Sequence, residues 1–285
     1  MDGLLITILI VTGFLVYKMI SSSRKQEGYK RWKATGSGDT ANEETAGNKW
    51  KHGAWLRHAL GVTTPKARTY PVFDEEAVVW CAGLLGVEAV RLKEILQDVS
   101  SHYREFWIRK RKGGYRMISA PDKELKSIQD TIYHRILLPV NVHPVATGFR
   151  RQHSIVDNVR PHLGKRCVLK TDIHDFFLSI RSPRVKQTFE NIGYPKNISK
   201  VLGELCCRRR HLPQGASTSP ALSNIIAYEM DRKLAAMAEE FGLAYTRYAD
   251  DLTFSGDVFP KEQVLVRVKE IIREEKFEPN QDRKS

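Results

Sequence analysis

Cysteine is scarce. There are four in 285 residues, Cys81, Cys167, Cys206 and Cys207, with no C-x-x-C pair and no histidine at zinc-ligand spacing. Neither a disulfide framework nor a structural zinc site is therefore indicated, and a reducing cytosolic setting fits the chain. Acidic charge is also in deficit, since Lys and Arg outnumber Asp and Glu by 46 to 33. The formal charge of +13 points to a polyanion or an anionic membrane surface as partner. Internal repeats and long low-complexity tracts are missing, which excludes a repeat architecture. With 41% hydrophobic residues, the chain can bury a sizeable core in one large domain or two small ones.

One long uncharged run stands out. From Gly3 to Tyr17 (GLLITILIVTGFLVY) there is no charge, and apolar character continues past Lys18 to Ile20. That is about 18 residues, or ~27 Å as a helix, enough to span a bilayer core. A secretory signal is the rival reading, but Asp2 stands where a positive charge belongs and no small-x-small cleavage site follows. A buried helix of a soluble core is disfavoured because the run is apolar on every face. Lys18, Arg24, Lys25, Lys30, Arg31 and Lys33 crowd the following flank. The positive-inside rule then predicts a single-pass anchor in the cell membrane, amino terminus outside and the remainder in the cytoplasm. The expected division is a transmembrane helix at 1–20, a flexible linker at 21–50, an N-terminal helical segment at 51–100, and two further parts at 101–165 and 166–285.

In FDEEAVVWCAGLLGVEAVRLKEIL, apolar residues at Val78, Val79, Leu84, Leu85, Val90 and Leu92 predict two short helices broken near Gly83 and Gly86. FWIRKRKGGYRMISAP predicts a hairpin across Gly113-Gly114 that carries Arg109, Lys110, Arg111, Lys112 and Arg116. By itself that is a solvated basic hairpin; facing an acidic palm it becomes a phosphate-binding device. KELKSIQDTIYHRIL predicts an amphipathic helix with Leu125, Ile128, Ile132, Ile136 and Leu137 on one side.

The carboxylates are arranged more pointedly. YTRYADDLTFS has strand formers on both sides of Ala249-Asp250, so it predicts a hairpin whose tight turn lacks the usual glycine and carries Asp250 and Asp251. In CVLKTDIHDFFLSI, alternation predicts a strand with Leu169, Thr171 and Ile173 toward a core and Val168, Lys170 and Asp172 facing the other way. Between them, HLPQGASTSPALSNIIAYEMDRKL predicts a loop and then a helix, with Ser219 as N-cap, Pro220 first, and Leu222, Ile225, Ile226 and Met230 as its apolar stripe. Three carboxylates brought together from a strand end and a turn repel one another unless cations neutralise them. Magnesium, a hard ion held by carboxylates and substrate phosphates, is the natural partner, and a pair of such ions supports nucleotidyl transfer.

The ordered set GGYRMISAP, TDIHDFF, LPQGASTSP and RYADDLTFSG resembles the fingers and palm motifs of reverse transcriptases, and within them the bacterial retron type. The resemblance runs from about Val72 to Ser285. It implies an α+β fold, a right-hand polymerase with fingers at 101–165 and a palm at 166–285, preceded here by the transmembrane helix. It further implies an RNA-directed DNA polymerase, a nucleotidyltransferase, with two magnesium ions (Mg2+) on Asp172, Asp250 and Asp251 and the Ile173 carbonyl as a further ligand. Arg116, with Lys110 or Lys112, matches triphosphate contacts. Asp175 and Phe176 match positions whose backbone lies near the triphosphate. Phe177 matches the bulky residue that excludes a 2′-hydroxyl, although a core phenylalanine describes Phe176 equally well; this gate disfavours an RNA-templated RNA polymerase. Gln214 and Gly215 match the nucleotide-pocket loop.

HSIVDNVRPHLG resembles the retron segment Asn-Ala-x-x-His, with Asn158 and His162 as its RNA-binding residues, Val159 in place of the alanine, and a plain turn at Pro161 as the alternative. The implied partners are deoxynucleotides and a structured noncoding RNA that is both template and primer, yielding an RNA–DNA product in phage defence. The membrane through residues 3–20 and an effector or thumb-bearing protein complete the set. KFEPNQDRKS resembles the next palm motif, with Asn280 in place and Arg283 or Lys284 assisting pyrophosphate departure. The primer-gripping strands, the thumb and the retron Val-Thr-Gly expected after it do not follow, so an incomplete palm and weak hold on a duplex are expected. A catalytically silent, membrane-tethered RNA-binding fragment is the alternative function.

Overall fold

In the computed structural model of the chain, the described residues are 72–110 and 113–280. The expected anchor and linker, together with Lys112, Arg283 and Lys284, lie outside them. Among the described residues no helix is long and apolar enough to cross a membrane.

Helix α1 (Glu75–Leu85) starts where the Asp74 carboxylate accepts a hydrogen bond from the Ala77 N–H. It runs unbroken through Gly83 and ends at Gly86; α2 (Ala89–Gln97) follows. The expected break at Gly83 is absent, since a lone helical glycine weakens a helix without ending it. Of the apolar residues that predict these helices, Val79 and Val90 are exposed, whereas Cys81, Ala82, Ile95 and Leu96 are buried.

Strands β1 (Tyr103–Arg109) and β2 (Tyr115–Pro121) form a two-stranded antiparallel ribbon with Arg109 opposite Tyr115. The glycine pair supplies its turn, as expected. Helix α3 (Lys123–Ile132) is capped by Asp122 and passes into one π turn, Tyr133–Leu137. That extra residue per turn brings Ile136 and Leu137 onto the buried face already formed by Leu125, Ile128 and Ile132.

After short α4 (Ile155–Val159) come β3 (Cys167–Asp172), the one-turn α5 (Phe176–Ser179), α6 (Ser182–Ile192), α7 (Lys196–Leu205), α8 (Ser219–Ile226) and α9 (Tyr228–Glu240). The α8 N-cap is Thr218, with Ser219 and Pro220 already inside the helix, and Met230 belongs to α9. Strands β4 (Ala244–Tyr248) and β5 (Asp251–Gly256) and helix α10 (Lys261–Glu274) complete the order.

The three-stranded sheet is β3-β5-β4, antiparallel, with β5 in the middle. Residues directly opposite across a ladder share a face. Leu169, Thr171, Leu252, Phe254, Tyr245 and Arg247 therefore form one face, which packs on the helices; Tyr245 stacks on Phe254 at 4.6 Å. Thr246, Thr253, Ser255, Lys170 and the two strand-end aspartates form the other. The segment beyond α10 returns to the β3 end, where Ile173 bridges Pro279 and the Asn280 N–H donates to the Asp172 carbonyl at 2.9 Å.

Candidate active site

The three carboxylates meet where β3, β5 and the β4–β5 turn converge. Asp172 and Asp251 are ladder partners, and Asp250 is the second residue of the turn. The Ile173 N–H donates to the Asp250 carbonyl at 3.0 Å, which ties the β3 end to the turn. Ala249 takes φ +60°, a left-handed conformation that costs a non-glycine residue free energy, so something must hold it.

One holder is Gly148. A Cβ there would lie 2.8 Å from the Ala249 nitrogen, so only glycine lets this loop lie against the turn. The other is Arg247, fully buried. Its guanidinium donates to Asp231 (Nη2–Oδ2 2.6 Å, Nε–Oδ1 2.8 Å), to Asn224 Oδ1 (3.0 Å) and to the Ala249 carbonyl (3.1 Å). Asn224 in turn donates to the Gly148 carbonyl at 2.9 Å, and the Tyr245 hydroxyl donates to Asp231 Oδ1 at 3.0 Å. One buried cation thus binds β4, α8, α9 and the acidic turn into a unit. The sequence reading missed this network. Its signal was the parity of Arg247 with Tyr245, which aims an arginine at the core and demands a buried acid, here Asp231.

The remaining candidates surround this centre. Arg116, exposed on β2, is close enough to Asp250 to oppose the rise of its pKa. Lys110 stands at the ribbon turn, exposed. Gln214 and Gly215 dock on β2: the Ser119 N–H donates to the Gln214 carbonyl at 2.8 Å, and a Cβ on Gly215, at φ +129°, would lie 2.7 Å from the Ser119 carbonyl. Asp175 adopts φ +45° at the start of α5. Phe176 is buried against Phe277 (5.5 Å) and beneath Arg247, while Phe177 is only partly buried. The core description thus applies most fully to Phe176, with Phe177 packed at the edge of the same core. Asn280 Nδ2 donates to Asp172 Oδ2 at 3.2 Å.

Asn158 and His162 point inward. The Asn158 Oδ1 accepts from Thr147 Oγ1 at 2.8 Å, and both His162 ring nitrogens meet hydroxyls of the palm sheet, Ser255 at 2.6 Å and Thr246 at 2.8 Å. Burial, with Lys170 adding to it, pushes the His162 pKa down to about 4. It is a neutral clasp across β4 and β5.

Burial first, then the charge of Asp251, holds the Asp250 carboxyl above its ordinary range; Asp172 adds to this. No group of three His, Cys, Asp or Glu side chains stands preformed as a metal cage among the described residues. The donor set nevertheless fits a hard divalent cation: clustered carboxylates, mutually repelling, at a strand end with an open side at Asp251.

The family described as "Reverse transcriptase (RNA-dependent DNA polymerase)" matches residues 108–282, and the chain belongs to it. Its curated relatives are of the retron type. "Retron Ec86 reverse transcriptase" of Escherichia coli is 37% identical over 179 residues, covering 62% of this chain and 55% of that one. "Retron Mx65 reverse transcriptase" of Myxococcus xanthus is 38% identical over 201 residues, covering 64% and 47%. "Retron Mx162 reverse transcriptase" of the same organism is 31% identical over 294 residues, covering 91% and 60%. The chain thus spans about half the length of the curated relatives it matches. A solved telomerase from Candida albicans aligns with a TM-score of 0.43 at 13% identity, over 64% of this chain and 42% of that one, a likeness too distant to carry an argument.

Proposed function

We propose that the chain carries an RNA-directed DNA polymerase of the retron type, which extends deoxynucleotides along a structured noncoding RNA and yields a joined RNA–DNA product. The observation that carries this reading is the juxtaposition of Asp172, Asp250 and Asp251 at one end of a buried sheet. Asp172, Asp250 and Asp251, with the Ile173 carbonyl, would hold two magnesium ions, which when bound would supply activation of the attacking 3′-hydroxyl and charge neutralisation at the leaving pyrophosphate.

The chain's own residues do the rest. Arg116 binds triphosphate oxygens through charge-assisted hydrogen bonds, with Lys110 and Lys112 adding positive potential. The backbone at Asp175 and Phe176 lines the triphosphate, and the Gln214–Gly215 loop forms the floor of the nucleotide pocket. Phe177 excludes a 2′-hydroxyl by steric conflict. Arg283 or Lys284 assists departure of the pyrophosphate through its positive charge. Asn158 and His162 serve RNA binding by holding their segment on the sheet, which leaves Arg160 exposed. The basic flank of the apolar run Gly3–Ile20 supports a membrane anchor with the catalytic part in the cytoplasm. Phage defence is the role this activity would serve.

Primer extension by the full chain on an RNA template with magnesium tests the reading, beside its Asp250→Ala variant. Deoxynucleotide-specific product that the substitution abolishes is the expected result. Equal product from both proteins would overturn it. Salt-sensitive RNA retention with no product under any metal would instead identify a non-catalytic RNA-binding chain, a role that the +13 charge also suits.

A further inference from the structure

The Phe149 backbone is one of the unusual ones. It adopts φ +63°, a genuine outlier for a bulky aromatic, and it stays 42% exposed. Such a conformation persists only where the surroundings over-determine it, and such positions cluster at functional sites. The surroundings here are explicit. Ala146 bridges Arg247 in parallel, the Thr147 N–H donates to the Arg247 carbonyl at 2.9 Å, and Gly148 is pressed on the acidic turn and held by Asn224. The loop is in effect an additional edge of the palm sheet, and Phe149 is the residue at which it leaves.

Its ring lies 5.9 Å from that of Phe177 and 6.4 Å from that of Tyr248. Phe177 therefore has a buried aromatic neighbour, Phe176 at 5.7 Å, and an exposed one, Phe149. Exclusion of a hydroxyl works only if the excluding ring cannot turn aside. Phe177 sits on a four-residue helix with an αL residue before it, so its own element offers little restraint. The restraint has to come from neighbouring rings.

We propose that Phe149 is a specificity-determining positioning residue that braces Phe177 and couples this gate to the turn bearing Asp250 and Asp251. The inference rests on the polymerase reading and goes beyond it: sugar discrimination is set by two aromatic rings from separate segments. Phe149 acts through Phe177, so its loss loosens selectivity while the carboxylates keep their places.

The test measures binding of a deoxynucleotide and of the matching ribonucleotide by the full chain on a primed RNA template. Calcium replaces magnesium so that binding is read without chemistry, and incorporation of the two is compared separately with magnesium. In Phe149→Ala the deoxy-over-ribo preference falls about tenfold, the scale on which one pocket contact sets specificity. It falls further in Phe177→Ala, the double variant is no worse than Phe177→Ala, and Phe149→Tyr restores the preference. Should Phe149→Ala fail to fold in a thermal melt, Phe149→Leu is read in its place. An unchanged preference in the Phe149 variant, beside a lowered one in Phe177→Ala, would overturn the bracing role and leave the polymerase reading intact. So would weakened template binding with the preference unchanged, which marks Phe149 as a base-stacking surface. No preference in the unsubstituted chain would remove the polymerase reading and this inference together.

Discussion

The ribbon β1–β2 and the sheet β3-β5-β4 are both antiparallel, yet β1 buries only Tyr103 whereas β5 buries every residue after Asp251. The difference lies in what each must do. The sheet is covered on one face by helices and partly on the other by the His162 clasp, so its backbone has few alternatives and the strand ends that carry the carboxylates are held in register. Among the described residues the ribbon is anchored at its base. There Arg208 pairs with Glu105 and donates to Ser119 Oγ at 3.3 Å, and Gln129 donates to the Tyr103 hydroxyl at 2.7 Å. Beyond that base Phe106, Trp107, Ile108 and Tyr115 are exposed among arginines. A two-stranded ribbon gains little by burial, so these aromatics are available to a flexible polyanion. Burial is concentrated in the sheet, and exposed contact surface in the ribbon.

That contrast can be broken most severely at the carboxylates. Asp250→Ala or Asp251→Ala is expected to abolish deoxynucleotide incorporation while the melting temperature holds or rises, because a repelling charge is removed. Activity gels beside thermal melts decide it, and a large loss of stability would show that the acids are structural.

Next in size is the buried pair. Arg247→Ala leaves Asp231 buried and unpartnered by its cation, at a cost of about 3–5 kcal/mol, read from denaturant midpoints. An unchanged midpoint would mean that the network does not hold the palm together.

A smaller effect is expected from pH. His162 titrates near 4 in the folded chain against an ordinary 6.5, so the unfolded chain binds the proton first. Its contribution is intact above about 6.5 and is lost as pH falls toward 4. The melting temperature should therefore drop more steeply over that window in the unsubstituted chain than in His162→Gln; parallel curves would remove the clasp.

Least disturbing to the fold is Trp107→Ala, expected within about 0.5 kcal/mol of the parent in stability. RNA retention should weaken by about 1–3 kcal/mol if the ribbon stacks on bases. A stability loss larger than the binding loss would erase the distinction between ribbon and sheet.

Much of this was legible in the sequence. The Gly113-Gly114 hairpin, the buried parity of Leu169 and Thr171, and the glycine-free turn at Ala249-Asp250 all follow from local rules, and the structure carries each of them. Errors arose where a local signal was over-read. The two expected helices part at Gly86 and not at Gly83, Val79 and Val90 belong to the apolar pattern yet lie exposed, and the α8 cap is Thr218 where Ser219 is expected. Periodicity cannot tell which side of an apolar stretch finds a neighbour.

The sequence by itself determined which residues carry charge and strand periodicity, and hence that Asp172 would end one strand and Asp250 and Asp251 would sit at a turn. Those are consequences of backbone geometry within a few residues. Only the tertiary structure decided that Asp172 faces Asp251 in register, that Arg247 finds Asp231, that His162 turns onto Thr246 and Ser255, and that Phe149 stands beside Phe177. These pairings join segments far apart in the chain. Burial forces each polar group to find its partner wherever packing brings one, and no local pattern records that choice.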